Sequence, residues 1–399
     1  MKILIISQYY SPDITAAAFR MSETVSGLEK KGIEVHVITS TPHKSNLTSQ
    51  NIDNKNITRI KIPFFKKQIR LTYLFQYLLF SFGAIKSAFK LKKFFKYDLI
   101  LASSPPITIA LPAFLIKILT GKPLIFDIRD VWPDSAAAIN KIKKHGLVYK
   151  FFKLVEAFIY TKADYITCVA APMKEYIFEL SKKNNIQVIY NGASDYLLSY
   201  NKKEQKIAIQ PKEFVFTYAG NIGYAQDLKS VIYAFSEFLK DQDDSSCRLQ
   251  LIGNGPEKNE IVALVKKLRI VQQVSFLNEV PKSEIAEILV NSEVLLIPLI
   301  SSPVFKLTIP SKVFDYMTFG IPIIATIQGE GRDILSKSDA NIITPLNDID
   351  LTSSFLKMFN DYPSYKKLSF ENKKTVQNYT RMKSTNDFYE TFMKVLNKE

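Results

Sequence analysis

The sequence has few of the residues from which metal centres and disulfide frameworks are built. Its 399 residues include two cysteines, three histidines and one tryptophan. Cys168 and Cys247 lie far apart in apolar, strand-like surroundings, and the histidines lack ligand spacing, so neither a disulfide scaffold nor a zinc site is indicated. We expect both cysteines to be buried thiols in a reducing compartment, and we expect the protein to work without a metal.

Long hydrophobic runs and acidic residues are also scarce. The longest charge-free apolar stretch, residues 71–85, has 15 residues, short of the roughly 20 that a membrane-spanning helix needs. Residues 1–7 contain too short an apolar run for a secretory signal and are typical of a buried strand. Lysine and arginine outnumber aspartate and glutamate by 53 to 38, for a net charge of +15. We therefore expect a protein of the cytosol or of a membrane surface that does not cross the membrane.

The rest of the composition is that of a globular protein large enough for two or three domains, with 47% hydrophobic and 23% charged residues. Apolar runs of strand length alternate with helical segments, such as 16–31 and 147–160, on both sides of a polar stretch at 199–212 that we predict to be a linker. Strands are predicted near residues 2–7, 33–39, 98–102, 123–128, 164–169 and 186–190, and again near 214–220, 249–253, 274–277, 294–298, 321–326 and 341–344. This pattern predicts two doubly wound, Rossmann-like α/β domains with parallel sheets, at 1–198 and 199–364.

The most informative segment is 309–325, which predicts a helix start followed by a buried strand. Pro310 fixes the entry to the helix, and Ser311 is a preferred N-cap residue, so the amides of the first turn could hold an anion. Lys312 adds a positive charge at that end, and Asp315 lies on the same helix face, where it could accept hydrogen bonds from a ribose diol. The alternative is an ordinary capped helix in which Asp315 only favours the helix dipole.

Polar and glycine-rich segments follow several of the predicted strands. Because ligands of doubly wound folds bind beyond the carboxyl ends of the strands, these segments are the candidate site. The alternative for their glycines is an ordinary strand-to-helix turn. The residues singled out after the strands are Arg129, Asp130, Gly220, Asn221, Gly223, Gln226, Gly253 and Asn254.

Four segments in this order, 126–134 (FDIRDVWPD), 218–226 (YAGNIGYAQ), 253–257 (GNGPE) and 310–315 (PSKVFD), resemble the retaining glycosyltransferases of family 4. The resemblance covers nearly the whole chain and is strongest to the bacterial surface-polysaccharide branch that includes N-acetyl-L-fucosamine transferases. It implies a GT-B fold, in which two Rossmann-like domains face each other across a cleft. It also implies that residues 365–399 return to the first domain as helices.

The resemblance implies a nucleotide-diphosphate sugar as the donor. Without a metal, protein cations and amides must stabilise the diphosphate as it leaves, and Lys312 is the first choice with Arg20 of the facing domain as the second. Gly220, Asn221, Gly223, Gly253 and Asn254 would let the backbone approach the donor, and Gln226 could bond a phosphate or a sugar hydroxyl.

The sequence departs from the wider family at three places. A glycine pair of the first loop is replaced by Thr15, Ala16 and Ala17, and the first of two glutamates eight residues apart would fall on Leu307. An Arg/Lys pair common in the family is absent near Gly220. These departures put the phosphate contact of the first loop in doubt and give Lys312 more weight.

Asp130 is the expected acceptor-side carboxylate. It follows a predicted buried strand and stands beside Arg129, which could hold it ionised. Asp130 would orient or deprotonate the acceptor hydroxyl, although in the resembling family the departing phosphate can take the proton. Asp127 is less suited because strand alternation could point it elsewhere. The alternative is that Arg129 and Asp130 form a local ion pair that locks the turn at 132–133.

A basic and aromatic segment lies between Arg59 and Lys96, with ten lysines or arginines and no acidic residue. On a helix, Phe82, Ile85 and Phe89 would form an apolar stripe, and three lysines would lie just beside it. This layout is typical of a helix in a lipid interface. The alternatives are a helix hairpin packed on the sheet with a solvated basic rim, and nucleic-acid binding, for which no recognised module is present. The three lysines are Lys86, Lys90 and Lys93.

These observations together predict a metal-independent retaining glycosyltransferase with no cofactor, since the nucleotide sugar is a substrate. We expect a UDP-linked donor, with N-acetyl-L-fucosamine or a related hexosamine implied by the resemblance, and a polyprenyl-diphosphate-linked glycan as acceptor in O-antigen, capsule or exopolysaccharide synthesis. The enzyme would sit on the anionic cytoplasmic face of the cell membrane and bind no nucleic acid. Two alternatives stay open: a sugar-nucleotide epimerase or hydrolase, and a noncatalytic nucleotide-sugar-binding scaffold.

Overall fold

The computed structural model describes residues 1–13, 15–42, 56–63, 70–91, 96–200, 213–242 and 247–397, without the side chains of residues 70–74 and 282–283. The chain divides into two units. Unit 1 comprises Met1–Asn191 and Arg381–Glu399, and unit 2 comprises Gly192–Thr380. The predicted linker falls mostly on residues 201–212, which lie outside the described residues.

Unit 1 is built on a parallel sheet of seven strands in the order β3-β2-β1-β4-β5-β6-β7. Its central strands are buried on both faces, which explains their continuous apolar sequences. In the register of the sheet, Ile5 pairs with Val37 on one side and Leu101 on the other. The strands are β1 (Lys2–Ser7), β2 (Glu34–Ser40), β3 (Ile57–Ile60), β4 (Leu99–Ser103), β5 (Leu124–Ile128), β6 (Tyr165–Cys168) and β7 (Ile186–Val188).

The helices of unit 1 cover both faces of this sheet. They are α1 (Ala16–Lys30), α2 (Arg70–Leu91), α3 (Ala110–Thr120), α4 (Asp134–Ala138), α5 (Leu147–Lys162), α6 (Ala171–Ser181) and α16 (Arg381–Asn397). Helix α16 packs on α1, and its Phe388 and Phe392 join the core beside Met21. Helix α2 packs on α3. Because crossovers between parallel strands are right-handed, the helices that lead from β4 to β7 share one face of the sheet.

Unit 2 repeats the plan with six parallel strands in the order β10-β9-β8-β11-β12-β13. The strands are β8 (Phe214–Ala219), β9 (Cys247–Ile252), β10 (Val274–Leu277), β11 (Val294–Ile297), β12 (Ile323–Ala325) and β13 (Ile342–Ile343). The helices are α7 (Asp195–Leu198), α8 (Leu228–Leu239), α9 (Lys258–Lys267), α10 (Lys282–Val290), α11 (Ser311–Met317), α12 (Glu330–Leu335), α13 (Asp348–Asn360), α14 (Tyr362–Leu368) and α15 (Phe370–Val376). Rings of Phe216, Phe235, Phe238 and Phe355 pack edge-to-face or tilted at the centre of its core.

The predicted fold class is confirmed: both units are doubly wound parallel sheets, and each predicted strand has a counterpart in the structure. Strand β3 was not predicted. The predicted boundaries at 198 and 364 differ from the division at Asn191 and Arg381 because α7, α14 and α15 belong to unit 2. Of the predicted returning segment 365–399, residues 381–399 belong to unit 1. Cys168 and Cys247 are both free and buried, as expected.

Candidate functional site

The carboxyl edge of the unit 1 sheet contains a buried ion pair between Arg20 and Asp127. Both side chains are at most 1% exposed, and Nη2 of Arg20 lies 3.2 Å from Oδ1 of Asp127. Asp127 also accepts hydrogen bonds from Ser103 and Thr167, each at 2.8 Å. The guanidinium further donates to the carbonyls of Ile189 and Tyr190. Most of the donors of Arg20 are thus used inside unit 1, so its predicted contact with the donor stays a prediction, and the geometry favours a role in holding the fold.

Asp130 stands just beyond β5 and is half-buried. Oδ2 of Asp130 accepts a hydrogen bond of 2.8 Å from the Ser135 hydroxyl at the start of α4. Burial raises the pKa of Asp130 above its ordinary value, and Ser135, the Val131 amide and the charge of Arg129 oppose that rise. Arg129 therefore does favour the ionised form, as predicted, but burial has the larger effect on the pKa.

Arg129 forms no salt bridge with Asp130 among the residues that the structure describes, so the alternative of a local ion pair is not what the geometry shows. Nη1 of Arg129 reaches the Ala17 carbonyl at 3.5 Å, and its buried Nε has no hydrogen-bond partner in the described part of the chain. Burial, followed by repulsion from Arg20, lowers the pKa of Arg129. This guanidinium is a poorly compensated cation beside Asp130.

A polar network behind Asp130 ties α4 to α5 and α6. Nζ of Lys153 donates to Asp134 at 3.0 Å and to Glu156, and it lies 2.5 Å from the hydroxyl of Tyr176. Tyr149 donates to the other oxygen of Asp134 at 2.6 Å. No local sequence pattern predicted this network. Since Asp134 ends the segment that contains Asp130, the network fixes the position of the segment.

Two glycine-containing loops lie side by side at the carboxyl edge of the unit 2 sheet, after β8 and β9. The Gly220 amide donates to the Ile252 carbonyl at 2.8 Å, and the Ile222 amide donates to the Asn254 carbonyl at 2.9 Å. Gly253 has φ +133°, and a Cβ added there would overlap the carbonyl oxygen of Gly220. This close approach of two backbones requires glycine.

Lys312 lies above the first of these loops. A Cβ at Gly220, which has φ +150°, would overlap the Nζ of Lys312, so Gly220 provides the space that the ammonium group occupies. Nζ lies 5.2 Å from the centroid of the Tyr218 ring. Burial lowers the pKa of Lys312 to about 8, and the charge of Asp315 opposes this shift. The salt bridges formed by the described residues do not include Lys312, which leaves its charge for an anion.

The predicted N-cap at Ser311 is wrong. Helix α11 begins at Ser311, and the cap position is taken by Pro310, whose φ of −56° and ψ of 131° are extended and which has no side-chain cap. The Val313 amide closes the first turn on the Pro310 carbonyl at 3.0 Å. Because α11 has seven residues, its dipole is small, and the Lys312 side chain carries most of the positive charge. Asp315 lies half-buried on the same short helix, as predicted.

Gln226 and Asn254 hold the loops rather than project freely from them. In the orientation that satisfies both of its atoms, the Gln226 amide nitrogen donates to the carbonyls of Gly223 at 3.2 Å and Asn221 at 3.3 Å. The Asn254 side chain accepts from the Gly255 amide at 2.9 Å. Asn221 is exposed and Gly223 buried. A bond from Gln226 to a phosphate or a sugar stays a prediction.

Two tyrosines that the sequence analysis missed fix the end of β8. The Tyr316 hydroxyl of α11 accepts from the Ala219 amide at 2.9 Å and donates to the Ala219 carbonyl at 3.1 Å. The Tyr218 hydroxyl donates to the Asn221 carbonyl at 2.6 Å. Their side chains therefore hold α11 and the glycine loop at a fixed separation. Tyr218 begins the predicted site segment 218–226, and Tyr316 directly follows the segment 310–315. This adjacency was the sequence signal that could have identified them.

The predicted amphipathic helix is present as α2. Phe82 is 64% and Phe89 42% exposed, while Ile85 is half-buried. Lys86 and Lys90 are exposed beside them, and Lys93 lies outside the described residues. No helix in the described ranges combines the length and the apolar character that crossing a membrane requires. In the same part of the chain, no group of three or more His, Cys, Asp or Glu side chains could hold a metal ion, and metal independence stays a prediction.

Two family models match successive parts of the chain. Residues 18–195 match the model of glycosyltransferase family 4, and residues 199–375 match that of the group 1 glycosyl transferases. The two matches fall on the two units in turn and together leave few residues of the chain outside them.

Three curated relatives are similar in sequence. The N-acetyl-alpha-D-glucosaminyl L-malate synthase of Bacillus anthracis is 23% identical over 58% of this chain and 59% of its own length. The probable glycosyltransferase WbjE of Pseudomonas aeruginosa is 22% identical over 84% of this chain and 82% of its own length. The alpha-monoglucosyldiacylglycerol synthase of Streptococcus pneumoniae is 24% identical over 72% of this chain and 63% of its own length. The chain thus spans less than two thirds of the first and third relatives.

Solved structures share the architecture. Sucrose-phosphate synthase from Thermosynechococcus elongatus superposes with a TM-score of 0.77 at 13% identity, covering 100% of both chains. HepE from Anabaena, solved in complex with UDP-glucose, gives a TM-score of 0.70 at 13% identity, covering 98% of this chain and 99% of its own. At such identities the likeness concerns the fold, and it agrees with the predicted GT-B class of two Rossmann-like domains.

Proposed function

The chain belongs to the family 4 and group 1 glycosyltransferases, and from this premise we propose that it transfers a sugar from a nucleotide-diphosphate donor, with retention, to a lipid-linked glycan. The observation that carries the donor site is the Lys312 ammonium group above Gly220. It is a half-buried cation outside the salt bridges of the described residues, next to two loops whose backbones face each other closely. A diphosphate is the ligand that such a cation suits.

A UDP-linked donor is the specific form of this proposal. The fold neighbour HepE was solved with UDP-glucose, which supports a nucleotide sugar in a fold of this kind. Asp315 lies one helix turn from Lys312, where its carboxylate is suited to a ribose diol. The resemblance to N-acetyl-L-fucosamine transferases supports a hexosamine as the sugar and surface-polysaccharide synthesis as the context.

The reaction we propose needs two things from the protein. As the bond between the anomeric carbon and the diphosphate oxygen breaks, Lys312 offsets the negative charge that develops on the diphosphate. The acceptor hydroxyl oxygen then bonds to the same face of the anomeric carbon. Its proton passes to the departing diphosphate or to Asp130, whose pKa is raised by burial. The charge of Arg129 favours the ionised form of Asp130.

The acceptor side of the proposal depends on the surface of unit 1. The exposed Phe82 and Phe89 with Lys86 and Lys90 on α2 fit the interface of an anionic membrane, where a polyprenyl-diphosphate-linked glycan would be presented. One relative is named alpha-monoglucosyldiacylglycerol synthase, and this name supports a lipid acceptor. We place the protein on the cytoplasmic face of the membrane.

A thermal-shift titration with nucleoside diphosphates tests the donor site. Without added metal and with EDTA present, UDP at a hundredfold excess over its Kd should raise Tm by roughly 5 °C, since such binding adds about 2.7 kcal/mol. We expect Lys312→Ala and Asp315→Ala to lose most of this rise. Lys357→Ala, which removes an exposed lysine from α13 of the same unit, is the matched control and should keep it.

The same titration separates the proposal from its competitors. If only a nucleoside diphosphate with a base other than uracil raises Tm, the proposed donor nucleotide is wrong but the proposed site stands. A shift that needs a divalent cation would contradict metal independence. If no nucleoside diphosphate shifts the wild-type protein, the nucleotide-sugar function itself is wrong.

A further inference from the structure

The apolar face of α5 points outward and its charged face points inward, the reverse of what is expected for a helix on a soluble protein. Leu147, Phe151, Leu154 and Phe158 follow each other at helical spacing, which in most sequences predicts the face that packs on the core. Here these side chains face outward, with exposed fractions of 87%, 60%, 71% and 47%. A stripe of this size facing water is unfavourable, so the surface is built to be covered.

The inward face of α5 contains the charged residues instead. Glu156 is fully buried, and Lys153 bridges it to Asp134 of α4. Tyr160, also buried, donates to Glu156 at 3.0 Å. The helix therefore fixes its orientation through this network, and the apolar stripe cannot turn inward without breaking it.

The chain around the stripe is basic. Within residues 141–162 the one acidic residue is the buried Glu156. Five exposed lysines flank the stripe: Lys141, Lys143, Lys144, Lys150 and Lys162. Helix α3 continues the apolar area, because the rings of Phe114 and Phe158 pack at 4.9 Å and Ile118 is 73% exposed. The neighbour of α3 on its other side is α2.

We propose that the α5 surface, defined as Leu147, Phe151, Leu154 and Phe158 with these five lysines, lies in the interface of an anionic lipid bilayer. The apolar stripe would enter the acyl boundary, and the lysines would reach the phosphate head groups. A second copy of the chain is a poorer occupant, because a two-fold contact would bring the same basic rims together. The inference rests on the proposed lipid-linked acceptor, and it assigns membrane contact to a predicted helix for which the sequence indicated no such role.

The placement has a functional consequence for Asp130. On the opposite face of α5, Lys153 donates to Asp134 of α4. Phe152 of α5 packs against Trp132, with ring centroids 4.1 Å apart. A bilayer on the outer face of α5 would therefore set the height of the loop that carries Asp130 above the membrane, which is where a lipid-linked hydroxyl must be met.

Vesicle co-sedimentation of the full chain tests the proposal. The wild-type protein should bind vesicles that contain phosphatidylglycerol and bind pure phosphatidylcholine weakly. The variant Leu147→Gln/Phe151→Gln/Leu154→Gln should lose on the order of a hundredfold in partition coefficient. The matched control Val271→Gln/Ile349→Gln/Phe370→Gln removes three exposed apolar side chains of unit 2 and should bind as the wild type does.

A second measurement does not depend on removing the stripe. The chain has a single tryptophan, so Leu154→Trp and Ile349→Trp can each be made in a Trp132→Phe background. We expect brominated phosphatidylglycerol to quench the tryptophan at 154 and leave the one at 349 unquenched. Equal quenching at both positions would overturn the proposal, and so would unchanged vesicle binding of the α5 variant.

Two further outcomes have definite meanings. If sedimentation velocity shows a lipid-free dimer that becomes monomeric in the α5 variant, a second copy covers the surface and the proposal is wrong. If the wild-type protein binds vesicles through α5 but shows no thermal shift with any nucleoside diphosphate, the proposed function fails while this inference stands.

Discussion

The two units share a parallel-sheet plan but use charge differently. In unit 1, Arg20 and Asp127 are fully buried and hydrogen-bonded to each other and to their neighbours. In unit 2, Lys312 is half-buried, contacts the Tyr218 ring and has a pKa lowered to about 8 by burial. Removing one partner of a buried ion pair leaves a buried charge and destabilises the fold, whereas a charge kept without an ion pair costs stability until a ligand arrives.

The two units also differ in how exposed apolar side chains are distributed over their surfaces. In unit 1 most of the exposed large apolar side chains lie on α2, α3 and α5, whereas in unit 2 they are fewer and more scattered, as at Val271 and Ile349. Single exposed apolar residues are normal on soluble proteins, but contiguous ones indicate an interaction site. We infer a division of labour in which unit 1 meets the lipid acceptor and unit 2 binds the nucleotide.

Removing Asp127 should have the largest effect on stability. Asp127→Ala deletes the carboxylate that accepts from Arg20, Ser103 and Thr167, and it leaves the Arg20 charge buried without compensation. We expect the free energy of unfolding, measured by urea denaturation, to fall by about 3–5 kcal/mol. Lys312→Ala, which breaks no salt bridge, should leave it unchanged or raise it. If the free energy of unfolding falls less in Asp127→Ala than in Lys312→Ala, the contrast drawn between the charges of the two units is wrong.

Asp130→Asn should affect catalysis rather than stability. The amide oxygen can still accept from Ser135, so the loop keeps its position, but the side chain can no longer exchange a proton. We expect kcat to fall about a hundredfold or more with the Kd for UDP unchanged. The control is Asp387→Asn on α16, a carboxylate whose pKa is likewise raised by burial. Wild-type turnover in Asp130→Asn would contradict a catalytic role for Asp130 and leave the departing phosphate as the proton acceptor.

Much of the fold could be predicted because strands buried on both faces have continuous apolar sequences. Strand β3, with the sequence ITRI, lacks that signal since it is a partly exposed edge strand that contains Arg59. The contact of Lys312 with Gly220 could have been predicted from the sequence. Both residues follow strands of one sheet, and the carboxyl ends of parallel strands meet at a common edge.

The polarity of α5 could not be predicted from its own sequence. Its apolar stripe has the spacing of a core-facing helix, and the reversal becomes visible only when Lys153 and Glu156 are seen to face Asp134 and Tyr176. The four residues come from three separate elements, α4, α5 and α6, so no local pattern contains them. The Ser311 cap failed for a local reason: the preceding proline, already extended, takes the cap position and moves the serine into the first turn.

The smallest effect we predict is the pH dependence of donor binding, and it tests whether Lys312 is the cation of unit 2. In the free protein, Lys312 is protonated below its pKa of about 8 and loses its charge as the pH rises through that value. A bound diphosphate favours the charged form and raises this pKa. Between the two pKa values, binding must take up a proton, so the Kd for UDP should increase by up to about tenfold per pH unit.

Lys312→Arg is the control for this measurement, because a guanidinium stays charged throughout the same range. Isothermal titration at several pH values above 7 should give a rising Kd for the wild type and a flat one for Lys312→Arg, even if arginine binds more weakly overall. If the Kd for UDP rises equally with pH in both proteins, a group other than Lys312 titrates. Lys312 would then not be the cation of unit 2 that responds to the donor. A flat wild-type curve would mean that Lys312 remains charged in the free protein, so that its burial costs less than its contacts with Gly220 and Tyr218 imply.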